Sequence, residues 1–189
     1  MIDRLCDQAR GQNTAVTCFY LDWAAGKDQS ATRMLGSLLK QMVSRMEVIP
    51  EEISRAFEEE RKVIGGRGPQ LLDIVKMLQL ASSLQPTFMC VDGLDECSGV
   101  QLVRVLNSLK QILDKSPSTR IFLSGRFHIK PEVERALVGQ VVSVSVAPTE
   151  SDVTGYIRAR LREDETPDAM DEILEANILA KVPQRISQM

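Results

Sequence analysis

The sequence has no long apolar run and few aromatic residues. No apolar stretch approaches the roughly 18 residues that a membrane-spanning helix requires. Aromatic residues make up 4% of the 189 residues, whereas apolar residues as a whole make up 43% and charged residues 26%. These values are typical of a soluble globular protein whose core consists of leucine, valine, isoleucine and methionine. We therefore expect no contact with a membrane.

Histidine and paired cysteine, the usual zinc ligands, are also scarce. The sequence has one histidine, His128, and its four cysteines, Cys6, Cys18, Cys90 and Cys97, form no CxxC pair. No zinc-site spacing is therefore present. Cys18 and Cys90 fall in apolar stretches, where cysteine behaves as a small hydrophobic residue. This usage is typical of a reducing compartment, so we expect a cytoplasmic protein.

The sequence also lacks a cluster of positively charged residues. No run of lysine and arginine stands out, and the formal net charge is −3. Because nucleic-acid binding depends on a basic surface, we expect no nucleic-acid partner. A hydrolase with a nucleophile and a base is also disfavoured, since His128 has no evident serine or cysteine partner.

One stretch, residues 88–97, organises the chain. Its apolar start predicts a strand buried on both faces, and this strand ends directly in Asp92. Gly93 follows, and then the acids Asp95 and Glu96. Ligands of open α/β sheets bind outside the carboxyl ends of the strands, where Mg²⁺ on a nucleotide phosphate would offset the repulsion between carboxylates. The alternative interpretation is a buried strand that ends in a solvated acidic turn.

Helical and strand patterns alternate along the chain. We predict strands at 15–21, 88–92, 119–124 and 141–146, and helices at 2–10, 30–47, 69–84, 98–115 and 131–137, with others starting at 50, 148 and 167. The glycine-rich stretch at 65–69 is predicted to be a flexible loop. This alternation predicts an α/β fold with a parallel sheet flanked by helices on both faces.

Several segments together resemble the NACHT-type NTPases. Residues 88–96 look like the extended Walker B segment of that family. Residues 121–126 look like its sensor strand, with Ser-Gly-Arg where the family usually has Thr-Ser-Arg. The segments at 19–22, 35–41 and 146–156 also match. The likeness covers nearly the whole chain and is strongest to fungal NACHT proteins with a nephrocystin-3-like N-terminal domain. It implies a P-loop NTPase-like core.

The resemblance implies a role for each polar residue at the end of these strands. Asp92 would hold Mg²⁺ through water, and Asp95 and Glu96 would orient or deprotonate the attacking water. Ser124 and Arg126 would contact the nucleotide, with Arg126 sensing the γ-phosphate. The expected cofactor is Mg²⁺ with ATP or GTP. The family's role is a signalling switch that is driven by nucleotide and forms oligomers in the triphosphate state.

The sequence departs from this family in its phosphate loop. No GxxxxGK[ST] motif, whose amides and lysine cradle the phosphates, occurs in the 189 residues. Phe127 also stands where the family usually has proline. We expect residues 1–147 to form a partial NACHT core without the phosphate-loop strand, and residues 148–189 to begin the helical region that follows. The chain is then a fragment of the module, with weak or absent nucleotide binding.

Three functions are compatible with this interpretation. The first is a nucleotide-binding signalling module impaired in hydrolysis, so that enzyme activity is left open. The second is a non-catalytic interaction or decoy module, and the third is a non-functional fragment. The resemblance implies that the missing phosphate-loop strand lies between the strands at 119–124 and 141–146. Without it, either these two strands pair directly with each other or their exposed edges recruit other chains. We therefore expect protein partners or self-association beside the nucleotide.

Overall fold

A three-stranded sheet with helices packed around it forms the core of the computed structural model, which describes residues 2–22, 29–62, 68–163 and 171–186. The strands are β1 (Ala15–Tyr20), β2 (Thr87–Asp92) and β3 (Thr119–Leu123). The helices in the described ranges are α1 (Ile2–Ala9), α2 (Ala31–Val43), α3 (Glu51–Lys62), α4 (Leu71–Ser83), α5 (Gly99–Lys115), α6 (Lys130–Ala136), α7 (Glu150–Arg162) and α8 (Glu172–Ile186). This architecture confirms the predicted α/β class.

The three strands are parallel, and β2 lies between the other two. Thr87 of β2 pairs in register with Ala15 of β1 and with Thr119 of β3. The middle of β2 is buried on both faces, since Met89 and Val91 on one face are 0% and 1% exposed and Cys90 on the other face is 3% exposed. A strand covered on both faces explains the unbroken apolar run that predicted it.

Helix α2 contributes the largest apolar stripe of the core. Met34, Leu35, Leu38, Leu39 and Met42 recur at helical spacing, and each is at most 1% exposed. Burial of such a stripe stabilises a domain by roughly 1.5–3 kcal/mol for each large side chain. The predicted amphipathic helix is therefore confirmed, and it ends earlier than the pattern indicates, at Val43.

Two contacts fix the start of α2. Ser30 is its N-cap residue, and its hydroxyl accepts a hydrogen bond from the Arg33 backbone N–H at 3.2 Å. The Ala31 N–H, which has no partner inside the helix, donates to Gln101 Oε1 of α5 at 2.9 Å. Both bonds satisfy donors that a helix leaves open in its first turn. The bond to Gln101 also attaches α2 to α5.

Some predicted features differ in detail or lie outside the described residues. Ser98 is the N-cap residue of α5, as predicted, but its side chain makes no capping hydrogen bond. Most of the predicted loop at 65–69 and the predicted helix start at 167 fall outside the described ranges. Pro183, predicted to end or kink the last helix, lies inside α8. None of the helices in the described part of the chain is both long and apolar enough to cross a bilayer.

The chain divides into two compact units, Met1–Val141 and Val142–Met189. In the described part of the second unit, α7 begins at a capping box. The Asp152 N–H donates to Thr149 Oγ1 at 3.2 Å, and the Thr149 N–H donates to Asp152 Oδ2 at 2.9 Å. The Thr149 hydroxyl donates to Asp152 Oδ2 at 2.6 Å, and this bond, together with the one from the Thr149 N–H, lowers the pKa of Asp152 below its ordinary value. The extent of an NTPase core to residue 147 stays a prediction.

The predicted strand at 141–146 is wrong. These residues belong to no strand or helix. Val142, Val144 and Val146 are 92%, 78% and 90% exposed. The alternation of valine and serine has the β-propensity of a strand, but a strand also needs a neighbour for its backbone N–H and C=O groups. Within the described residues no strand supplies that neighbour.

The centre of the sheet holds two cysteines side by side. Cys90 of β2 pairs in register with Cys18 of β1 and is 3% exposed. Burial, with smaller contributions from the Cys18 and Cys6 thiols, raises the pKa of Cys90 to about 11. The protonated thiol is therefore the form that the folded sheet accommodates.

This shift predicts a loss of stability at alkaline pH. The unfolded chain releases the Cys90 proton near the ordinary pKa of 9.0, whereas the folded chain holds it up to about 11. The contribution of Cys90 is fully present below the lower value and declines as the pH rises through the higher one. Urea denaturation between about pH 7.5 and 10.5 should show the free energy of unfolding falling.

The matched variant is Cys90→Ala, which removes the titrating thiol. It should start less stable, because it leaves a small cavity, and lose less stability over the same pH range. If both proteins lost the same free energy between neutral and alkaline pH, the thiol would not be the group responsible.

Candidate functional site

The chain makes a tight turn directly after β2. Asp92 is exposed at the end of the strand, and Gly93 has φ 74°, in the left-handed region that glycine adopts without strain. A Cβ at this position would also lie 3.1 Å from the Leu21 carbonyl oxygen. A single 3₁₀ turn, Leu94–Glu96, follows. Leu94 is fully buried, so its side chain anchors the turn in the core.

The end of β3 is bound to this turn through Ser124. The Ser124 N–H donates to the Val91 carbonyl at 3.0 Å, and the Leu94 N–H donates to the Ser124 carbonyl at 2.9 Å. The Ser124 hydroxyl donates to Asp92 Oδ1 and accepts from the Gly93 N–H at 3.3 Å. Asp92 and Ser124, which the sequence assigned to one site, are therefore in direct contact.

Asp95 and Arg126 form a second contact between the same two segments. The Arg126 backbone N–H donates to Asp95 Oδ1 at 3.1 Å, and Arg126 Nε lies 3.3 Å from Asp95 Oδ2. The Asp95 side chain is 7% exposed, whereas that of Arg126 is 77% exposed. Asp95 thus holds both the backbone and the base of the guanidinium, and the rest of Arg126 reaches into solvent.

Gly125 makes this contact possible. A Cβ at residue 125 would lie 2.7 Å from Ile129 Cδ1 and 3.2 Å from Asp95 Oδ1. Both distances are shorter than ordinary van der Waals contact, so a side chain here would displace Ile129 or Asp95. The Ser-Gly-Arg sequence at residues 124–126 therefore fits this turn. The NACHT-type NTPases, which the sequence resembles, usually have a serine in the middle position.

The three acids of the turn have different surroundings. The Asp92 carboxylate contacts Ser124 and that of Asp95 faces Arg126, whereas the half-buried Glu96 side chain makes no hydrogen bond or ion pair with another described residue. Across the described ranges, no group of three or more His, Cys, Asp or Glu side chains lies close enough to hold a metal ion. The roles assigned to these acids from the sequence stay predictions.

The donors at this edge partly fit a magnesium ion. Mg²⁺ in nucleotide sites is held by one or two carboxylates and takes its other ligands from phosphate oxygens and water. Asp92, exposed and oriented by Ser124, fits that description. Asp95 does not fit in this arrangement, because both of its oxygens face Arg126.

The structure adds one residue to this edge that sequence reasoning missed. Tyr20, the last residue of β1, pairs in register with Asp92 and is 59% exposed. The Leu21 N–H continues the ladder by donating to the Asp92 carbonyl at 2.9 Å. Strand order could have predicted the position of Tyr20, because neighbouring parallel strands end at the same edge of a sheet.

The Asp95 contact predicts a structural effect of mutation. Asp95→Ala removes the acceptor of the Arg126 N–H and should lower the free energy of unfolding by roughly 1.5–3 kcal/mol, the range for hydrogen bonds to charged groups. The exposed guanidinium adds little to this, because solvent screens the ion pair. Urea denaturation at neutral pH measures the difference.

Glu96→Ala is the matched control, since the neighbouring acid has no partner among the described residues. It should change the free energy of unfolding by less than about 0.5 kcal/mol. Equal losses in the two variants would show that Asp95 does not anchor Arg126.

Comparison with known proteins finds one protein family that matches the region containing this edge. The model of one protein family, described as "Nephrocystin 3, N-terminal", matches residues 1–126. The matched region runs from α1 through β3 and includes Asp92, Asp95, Ser124 and, as its last residue, Arg126. No curated protein and no solved structure matches the chain.

Proposed function

Since the chain belongs to the nephrocystin 3 N-terminal domain family, we propose that it is the Walker B and sensor part of a NACHT-type nucleotide-binding signalling module. One observation carries the proposal. Asp92 and Ser124 are in contact where two adjacent parallel strands end, at the edge where α/β sheets bind ligands, and Arg126 follows two residues after Ser124. The four cysteines are free thiols, which supports the cytoplasm as the compartment.

The proposal gives each residue one role. Asp92 holds Mg²⁺ through water, and the Ser124 hydroxyl orients the Asp92 carboxylate for this task. The bound ion would neutralise charge on the nucleotide phosphates. Arg126, whose side chain is 77% exposed, reaches toward the γ-phosphate of ATP or GTP.

The two other acids, Asp95 and Glu96, have different roles in the proposal. Asp95 is a positioning residue, because its carboxylate fixes the backbone and Nε of Arg126. Glu96 has no competing partner among the described residues and is the acid that orients the attacking water. This division differs from the sequence-based one, in which Asp95 and Glu96 share the role at the water.

The 189 residues contain no phosphate-cradling motif, so the proposed site is incomplete within this sequence. Most affinity for a triphosphate comes from backbone amides and a lysine of such a loop. The proposed function of the chain as given is therefore weak nucleotide binding with impaired hydrolysis.

Paramagnetic NMR tests where the nucleotide binds. In the 189-residue chain, Mn²⁺·ATP or Mn²⁺·GTP should broaden the amide signals of Asp92, Ser124 and Arg126 first, with a dissociation constant above about 0.1 mM. Signals of Ala15 and Thr87, at the opposite ends of the strands, serve as internal reference. Asp92→Asn should reduce the broadening several-fold. Broadening centred elsewhere, or unchanged in this variant, would refute the proposed site.

Hydrolysis provides a separate prediction. Release of phosphate from Mg²⁺·ATP or Mg²⁺·GTP by the 189-residue chain should be no faster than release by the Asp92→Asn variant, because the phosphates are not held for in-line attack. A sensitive phosphate-release assay on matched preparations measures both. Turnover that Asp92→Asn abolishes would show that another segment positions the phosphates.

A further inference from the structure

Tyr20 is the neighbour of Asp92 on the side of the sheet opposite Ser124. Tyr20 and Asp92 are partners in register on parallel strands, whose backbones run roughly 5 Å apart. Partners in register point to the same face of a sheet, so the phenol and the carboxylate lie side by side. Because β2 is the middle strand, Asp92 has Ser124 on the β3 side and Tyr20 on the β1 side.

Both of these side chains keep a polar atom without a protein partner. The Ser124 hydroxyl donates to Asp92 Oδ1, whereas Asp92 Oδ2 accepts no hydrogen bond from the residues that the structure describes. The Tyr20 hydroxyl likewise makes no hydrogen bond with any of these residues. Tyr20 is 59% exposed, so its ring does not require the core. The phenol and the carboxylate are therefore adjacent groups that can act on the same ligand.

The chemistry of magnesium gives such a pair a use. In nucleotide sites Mg²⁺ keeps several of its waters, so the groups around a carboxylate act on the ion through those waters. A water bound to a cation is a good hydrogen-bond donor, and a phenol oxygen can accept from it. Outer groups of this kind orient the ligands of a metal and raise its affinity.

We propose that the Tyr20 hydroxyl accepts a hydrogen bond from a water of the magnesium ion that Asp92 holds. Tyr20 then supports the ion from the β1 side, as Ser124 supports the Asp92 carboxylate from the β3 side. The ligand class is a divalent cation with a nucleoside triphosphate. This inference rests on the proposed function, because it adds a residue to the same site.

A titration with Mn²⁺·ATP, followed by NMR, tests the role of the hydroxyl. Tyr20→Phe removes the hydroxyl and keeps the ring, and it should raise the dissociation constant about three- to tenfold, the effect of losing one hydrogen bond. The matched control is Thr14→Val, which removes a hydroxyl at the opposite end of β1 and should bind like wild type. Both variants should keep the wild-type midpoint in urea, because neither hydroxyl makes a hydrogen bond to a described residue.

A double-mutant cycle with Asp92→Asn separates action on the ion from a packing role. If the hydroxyl acts through the ion that Asp92 holds, Tyr20→Phe should change the dissociation constant by less than about 1.5-fold in the Asp92→Asn background. An undiminished effect in that background would overturn the inference, as would wild-type affinity in Tyr20→Phe alone.

The same measurements distinguish this inference from the proposed function. Weaker binding in Asp92→Asn together with unchanged binding in Tyr20→Phe refutes the role of Tyr20 and leaves the nucleotide site in place. Unchanged binding in Asp92→Asn refutes the proposed site, and the role of Tyr20 with it.

Discussion

The fold depends on the pairing of β2 along both of its edges. β2 has β1 on one side and β3 on the other, and the side chains in its middle are covered on both faces. Met89, Cys90 and Val91 are buried, so each backbone group left unpaired there would cost roughly 1–3 kcal/mol. A register shift of one residue would also turn Met89 and Val91 to the opposite face. The position of Asp92 at the sheet edge follows from this register.

The site at that edge is built by hydrogen bonds between the ends of β2 and β3. Ser124 continues the ladder beyond β3 and brings its hydroxyl to Asp92. Gly93 and Gly125 allow the approach, one by its left-handed φ and the other by its missing Cβ. The 3₁₀ turn then directs Asp95 inward to Arg126. The polar residues that extend into solvent here are therefore held by a rigid, largely backbone framework.

Much of this arrangement could be predicted, because it follows from local patterns. The apolar run before Asp92 and the stripe of α2 each specify burial directly. The predicted strand at 141–146 was wrong because a strand needs a neighbouring strand for its backbone hydrogen bonds. The β-propensity of the segment does not supply that neighbour. The contact of Asp95 with Arg126 joins residues distant in sequence and depends on the direction in which one turn points. Ser98 shows the same limit of prediction from sequence, since a serine at an N-cap position does not by itself make a capping hydrogen bond.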